Sequence, residues 1–273
     1  MGRVEYWLLG AVGTLIAFVA FETVRGGETP RRYALEVEQA GHPRTEADAN
    51  ASTDSSIATD ATTRTHVDVH SSVQPSRAPA PIRNVAEVRR RIADGARGTY
   101  ILDMLGTQDS VLYRWPDSRH ELKVWIQSDV HVRDWWAGYV QSARDVFSEW
   151  ETSGIPLRFR FASDSAGADI LIRWIDQFPP NDTRIGKTHR LYDQNAWMTY
   201  AEVTIPLHDG DGDRFPVGEI NEILRHEVGH ALGLGHSRDR ATIMYPSNTQ
   251  LELTELDKET LHLLYQLPPG RVR

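Results

Sequence analysis

The sequence predicts an α+β domain over residues 118–267. Three observations carry that expectation. Short segments with alternating apolar residues, the mark of half-buried strands, are grouped between residues 122 and 207. Longer segments, 134–152 and 219–231, repeat their apolar residues at helical spacing. A last amphipathic stretch follows Thr254-Glu255-Leu256-Asp257, a capping-box pattern with Leu261, Leu264 and Tyr265 facing inward. Strand, helix, strands and then two helices is an α+β order.

Each element has its own signal. Leu122-Lys123-Val124-Trp125-Ile126 alternates as a strand. From Asp134 to Thr152, Trp136, Val140, Ala143, Phe147 and Trp150 form a helical stripe expected to pack on the sheet. Ser153-Gly154 ends that helix. Leu157, Phe159 and Phe161 alternate with Arg158 and Arg160 as a half-exposed strand, and Asp169–Ile175 is apolar enough for a strand buried on both faces. Ala201, Val203, Ile205 and Leu207 alternate again. Pro206 cannot donate to a ladder, so this run is expected at the sheet edge, where an extended peptide can add. Val85–Ala96 reads as a short basic helix with a solvated face, and Tyr100–Asp117 shows no clear period.

Composition divides the rest. Residues 1–25 are expected to form a transmembrane anchor or signal segment, because Tyr6 to Phe21 is sixteen residues without charge. An uncleaved anchor is favoured over a cleaved signal, since no small-x-small cleavage site follows the run. Residues 26–83 read as a disordered linker, rich in Ser, Thr, Ala, Asp and Pro. Residues 84–117 read as a short N-terminal extension of the domain at 118–267. Seven of the eight tryptophans lie between Trp115 and Trp197, which places the core in the second half. A net charge of −8 argues against a nucleic-acid partner. The chain has no cysteine, which excludes disulfides and thiolate metal sites.

The chemistry is carried by His226-Glu227-Val228-Gly229-His230-Ala231-Leu232-Gly233-Leu234-Gly235-His236. Four residues apart on a helix, His226 and His230 project from one face. Gly233 can take the positive φ that ends the helix and returns the chain, bringing His236 back as a third ligand. Three histidines leave one position for water, the pattern of a catalytic zinc site rather than a closed structural one. Glu227 stands beside His226 and is the candidate general base. A buried helix with satisfied histidines would not explain why all these residues hold this spacing.

Ser237 follows the third histidine directly, and Ile243-Met244-Tyr245-Pro246 comes after it. With these residues the chain resembles the metzincin zinc peptidases, a zincin group, and within them the matrixin, matrix metalloproteinase-type catalytic domain. The resemblance covers roughly residues 112–267 and is strongest over 222–246. It implies a mixed twisted sheet, an active-site helix, a methionine turn and a C-terminal helix. It implies a zinc-dependent endopeptidase with Glu227 as base, His226, His230 and His236 as ligands, and Met244 as the floor of the site. Tyr245 and Pro246 would belong to the substrate-binding wall formed by residues 245–253. Without cysteine, the cysteine switch of matrixin zymogens cannot operate. The charges flanking the apolar run, read literally, leave the domain in the cytoplasm, whereas the resemblance points outside it. The expected localisation is therefore membrane-anchored and extracytoplasmic, or secreted, and the domain is expected to be a monomer acting on protein or peptide.

Two further cation sites are considered. Asp209, Asp211 and Asp213 alternate in a glycine-rich loop and could hold Ca²⁺, against a plain solvated turn. His189 and His208 could serve a second, structural zinc of the kind the resemblance implies. Other function classes stay open from sequence alone. One is a non-catalytic metzincin-like peptide-binding domain, though no member of the catalytic set is defective. The other is a zinc amidase acting on cell-wall polymer.

Overall fold

The structure, a computed structural model, describes residues 34–39, 83–179, 182, 184–247 and 252–272. In chain order its elements are strand β1 (Ala34–Gln39), helices α1 (Val85–Gly95) and α2 (Ile101–Thr107), and strands β2 (Val111–Leu112) and β3 (Glu121–Ile126). Helix α3 (Gly138–Glu151) follows, then strands β4 (Arg158–Ala162), β5 (Ile170–Ile175), β6 (Arg184–Tyr192) and β7 (Met198–Pro206). Helices α4 (Val217–Ala231) and α5 (Glu255–Gln266) and strand β8 (Gly270–Arg271) complete the order, an α+β arrangement. The expected membrane segment, residues 1–25, lies outside the described residues, as does nearly all of the expected linker. Among the described residues no helix is long and apolar enough to cross a membrane.

The main sheet runs β1-β6-β7-β5-β3-β4, with β2 and β8 pairing separately. Its pairs are parallel except β6 with β7. β5 lies between β3 and β7, which is why its Ile170, Leu171, Ile172 and Trp174 are all buried. β3 alternates as expected, with Leu122, Val124 and Ile126 buried. α3 packs Tyr139, Ala143, Val146, Phe147 and Trp150 inward. The Phe147 ring meets Phe159 at 4.8 Å and Phe161 at 6.0 Å between centroids, joining helix to β4. Burying a phenylalanine of this kind stabilises by roughly 1.5–3 kcal/mol.

Four expectations change. β7 is not the sheet edge: it is flanked by β5 and β6 along its length. Pro206 is tolerated because it is the strand's last residue, and Leu207 resumes the ladder by donating to Ile175. The outer strand on that side is β1, which runs parallel along β6, so β6 lies between β1 and β7. Trp136 does not join the helical stripe and is 51% exposed. The chain takes a φ of 59° at Asp134, and the helix begins only at Gly138. The aperiodic stretch near Tyr100 contains α2 and β2, separated by positive φ at Asp109 and Ser110, and that break interrupts any single period. α1 is not wholly solvated: Val88 and Ile92 are buried, while Arg90 pairs with Glu87 at the surface.

Candidate metal centre

α4 carries the first two histidines. Glu219 in its first turn suits the helix dipole. Ile220, Leu224, Val228 and Ala231 are fully buried, the stripe the spacing predicts. The helix closes in a Schellman motif: Gly233 takes φ 110°, its N–H donates to His230 O at 2.9 Å, and Leu234 N–H donates to Gly229 O at 3.0 Å. A Cβ on Gly233 would collide with the Tyr113 carbonyl oxygen. The remaining terminal carbonyls find donors from elsewhere in the fold. Trp115 Nε1 donates to Ala231 O, the Tyr265 hydroxyl to Leu232 O, and Arg190 Nη1 to His230 O and Leu234 O. The turn that returns His236 is therefore tied down on several sides.

The three imidazoles converge. Ring centroids are 4.6 Å apart for His226 and His230, 4.8 Å for His230 and His236, and 5.4 Å for His226 and His236. His226 Nδ1 faces Ile243 O at 2.6 Å and His230 Nδ1 faces Leu234 O at 2.9 Å. Those carbonyls require N–H at Nδ1, so each Nε2 presents a lone pair. His226 Nε2 is buried without a hydrogen-bond partner, an atom that a cation would satisfy. His230 Nε2 and His236 Nε2 stand 3.2 Å apart. Two nitrogens sharing a tetrahedral ion at zinc–nitrogen distances would be about 3.3 Å apart. Among the described residues this is the one group of three or more ligand-type side chains gathered closely enough to hold a metal. Burial holds all three rings neutral, His226 down at about 3 and His236 at about 4. His230 is depressed well below its ordinary value for the same reason. His236 is partly exposed, so the site opens on its side.

Met244, in the turn after the third histidine, is fully buried. The turn that holds it closes on itself, Ser237 N–H donating to Met244 O at 2.9 Å. Asp257 anchors the same turn. Its Oδ2 accepts from Ile243 N–H at 3.1 Å while also accepting from Thr254 N–H and the Thr254 hydroxyl in the capping box of α5. The path from Asp257 through Ile243 to His226 thus links a helix cap to a metal-site ring. Tyr245 and Pro246 follow, both partly exposed, with Arg240 over the Tyr245 ring at 5.6 Å.

Glu227 is fully buried beside the rings. Burial lifts its carboxyl to about 8, opposed by the Thr188 hydroxyl and the Arg184 and Arg190 charges. Its Oε1 has no hydrogen-bond partner, and its other oxygen meets Thr188 on β6. Thr188 and Arg190 carry no sequence signal of a site. They lie in a strand whose inward residues are Gly186, Thr188 and Arg190, so no apolar alternation marks it.

The other candidate cation sites do not assemble among the described residues. Both ring nitrogens of His208 face carboxylates, Nε2 toward Asp134 at 2.8 Å and Nδ1 toward Asp176 at 2.6 Å. His189 lies in β6 in register with Glu202. Asp209 Oδ1 accepts the main-chain N–H groups of Asp211 and Asp213, closing the acidic loop on itself.

Comparison with known proteins agrees with this geometry. Residues 136–266 match the family model described as Matrixin. The chain is 32% identical over 111 residues to Metalloendoproteinase 1-MMP of Arabidopsis thaliana, covering 38% of this chain and 30% of that protein. It is 35% identical over 93 residues to Metalloendoproteinase 2-MMP of the same plant, covering 31% and 22%. It is 37% identical over 67 residues to Metalloendoproteinase 1 of Glycine max, covering 22% of each. The chain spans less than a third of the length of the curated relatives it matches. On the converging histidines, the buried methionine turn and these matches together, residues 136–266 form a matrixin-like domain.

Proposed function

We propose that residues 118–267 form a zinc-dependent endopeptidase domain, with His226, His230 and His236 as metal ligands and Glu227 as general base. The observation that carries the reading is one juxtaposition. A buried, unpartnered Nε2 on His226 and an unpartnered Oε1 on Glu227 occupy adjacent positions of one helix, beside two further imidazoles. Zinc held there supplies a Lewis acid that acidifies water and polarises a peptide carbonyl. Glu227 accepts the proton of the attacking water at Oε1 and delivers it to the leaving amine.

The substrate is a peptide in extended form. β6 runs beside the metal helix, and the pairing of β1, an extended segment, along its far side supports β6 as a strand that an extended peptide can pair with. Met244 is the floor, and Tyr245 and Pro246 belong to the wall of the pocket just after the cleaved bond. The uncharged run from Tyr6 to Phe21 supports attachment to a membrane, and the likeness to the metalloendoproteinases supports a domain outside the cytoplasm, testable by protease protection of intact vesicles.

The experiment is digestion of a peptide library by zinc-loaded protein. Cleavage should stop with a chelator, return with zinc, and be lost in Glu227→Ala although that variant still folds and binds zinc. Chelator-resistant cleavage, or full activity of Glu227→Ala, would refute the mechanism. Turnover of cell-wall polymer with peptides untouched would replace the substrate class.

A further inference from the structure

The inward face of β6 is built for the metal helix rather than for the core. Gly186, Thr188 and Arg190 alternate along it, and all three are buried. Each meets α4 at the chemistry. Gly186 leaves space, since a Cβ there would collide with Glu227 Oε1 and approach Glu227 Cγ and Ile223 Cγ2 to 2.8 Å. The Thr188 hydroxyl contacts Glu227 twice, at the main-chain carbonyl (3.0 Å) and at carboxylate Oε2. Arg190 reaches the carbonyl of His230.

We infer that Thr188 is a positioning residue for hydrolysis: its hydroxyl holds Oε2 of Glu227 and leaves the unpartnered Oε1 to take the proton of water, in a space that Gly186 keeps open. The inference rests on the reading of Glu227 as general base. The physical reason is rotamer freedom. A glutamate has three side-chain torsions, and a carboxylate with neither oxygen held would sample several of them. Thr188 removes that freedom, because one buried hydroxyl touches both the main chain and the carboxylate of the same residue. Strand and base are then linked. The strand proposed to register the peptide also sets the group that activates water, so a shift of one moves the other.

A purely structural hydroxyl would satisfy only the Glu227 carbonyl, and the test separates the two roles. Thr188→Val keeps shape and burial but removes the hydroxyl. Its kcat should fall about 10- to 100-fold, the cost of a misplaced catalytic group, while KM and zinc affinity by chelator competition stay near wild type. Thr188→Ser should restore most of kcat, and it is the informative variant should valine impair folding. Gly186→Ala should lower kcat in the same way by displacing the carboxylate. A readout independent of turnover is the infrared carboxyl band of Glu227, assigned by difference with Glu227→Gln, which should shift in Thr188→Val. An unmoved band, an unimpaired kcat in Thr188→Val, or serine as damaging as valine overturns the inference alone. Zinc-loaded wild-type protein that cleaves no peptide overturns the peptidase reading and this inference with it.

Discussion

Met244 Sδ occupies the space where a side chain on Gly229 would begin: a Cβ built there would stand 2.5 Å from the sulfur and 3.0 Å from Trp150 Cζ2. Glycine in a helix interior costs about 1 kcal/mol relative to alanine, so propensity alone favours Gly229→Ala. Overpacking costs about 1–3 kcal/mol and should win. The variant is expected to melt lower and to bind zinc more weakly, because Gly229 adjoins His230 and Met244 adjoins Ile243. Calorimetry and chelator competition measure both; a variant more stable than wild type would show that methionine and tryptophan yield without cost.

Asp257 serves two masters, the cap of α5 and the methionine turn. Asp257→Ala removes the acceptor for Thr254 and for the N–H of Ile243, leaving a buried donor unpaired. Cap and orphaned donor together should destabilise by about 2–3 kcal/mol. Since Ile243 O also accepts from His226 Nδ1, zinc affinity should fall as well. Loss of stability with unchanged zinc affinity would sever the proposed link between cap and ring.

Gly233→Ala tests the turn that returns His236. Alanine is strained at φ 110° and would collide with Tyr113 O. A loss of about 1 kcal/mol or more is expected, with His236 displaced and zinc bound more weakly by equilibrium dialysis. Zinc affinity equal to wild type would mean that the turn is not what places the third ligand.

The pH dependence of the metal-free protein follows from the burial of its titratable groups. His226 at about 3, His236 at about 4 and His230 well below 6.5 stay neutral in the fold while the unfolded chain takes up protons. Their contribution is full above about pH 6.5 and is lost as pH falls toward the folded values. Glu227 at about 8 and Glu222 at about 7, both raised chiefly by burial, act oppositely. Theirs is full below about pH 4.5 and is lost as pH rises through 7 to 8. The melting temperature of the metal-free form should therefore peak near about pH 6. A melting temperature rising steadily from pH 5 to 8 would contradict the burial of Glu227.

Much of the candidate site is legible in the chain because its signals are local. Residues 226–236 depend on helix periodicity and one glycine turn, and Thr254–Asp257 is a cap whose partners lie within four residues. The strands β3 and β5 declare themselves through apolar residues. β6 does not, because its inward face serves the site with glycine, threonine and arginine. Pro206 misleads for a related reason: a missing N–H excludes a residue from the middle of a ladder but not from its end.

Residues that are neighbours along the chain thus specify a helix with two imidazoles on one face, a carboxylate beside them and a turn to a third. This follows because backbone geometry alone sets spacings of three and four residues. The contacts that hold these groups in place join residues far apart in the chain: Thr188 to Glu227, Ile243 to His226, Asp257 to Ile243, Arg190 to His230. No periodicity encodes such pairs, since they exist only once the sheet and helices have packed and each buried polar group has had to find a partner.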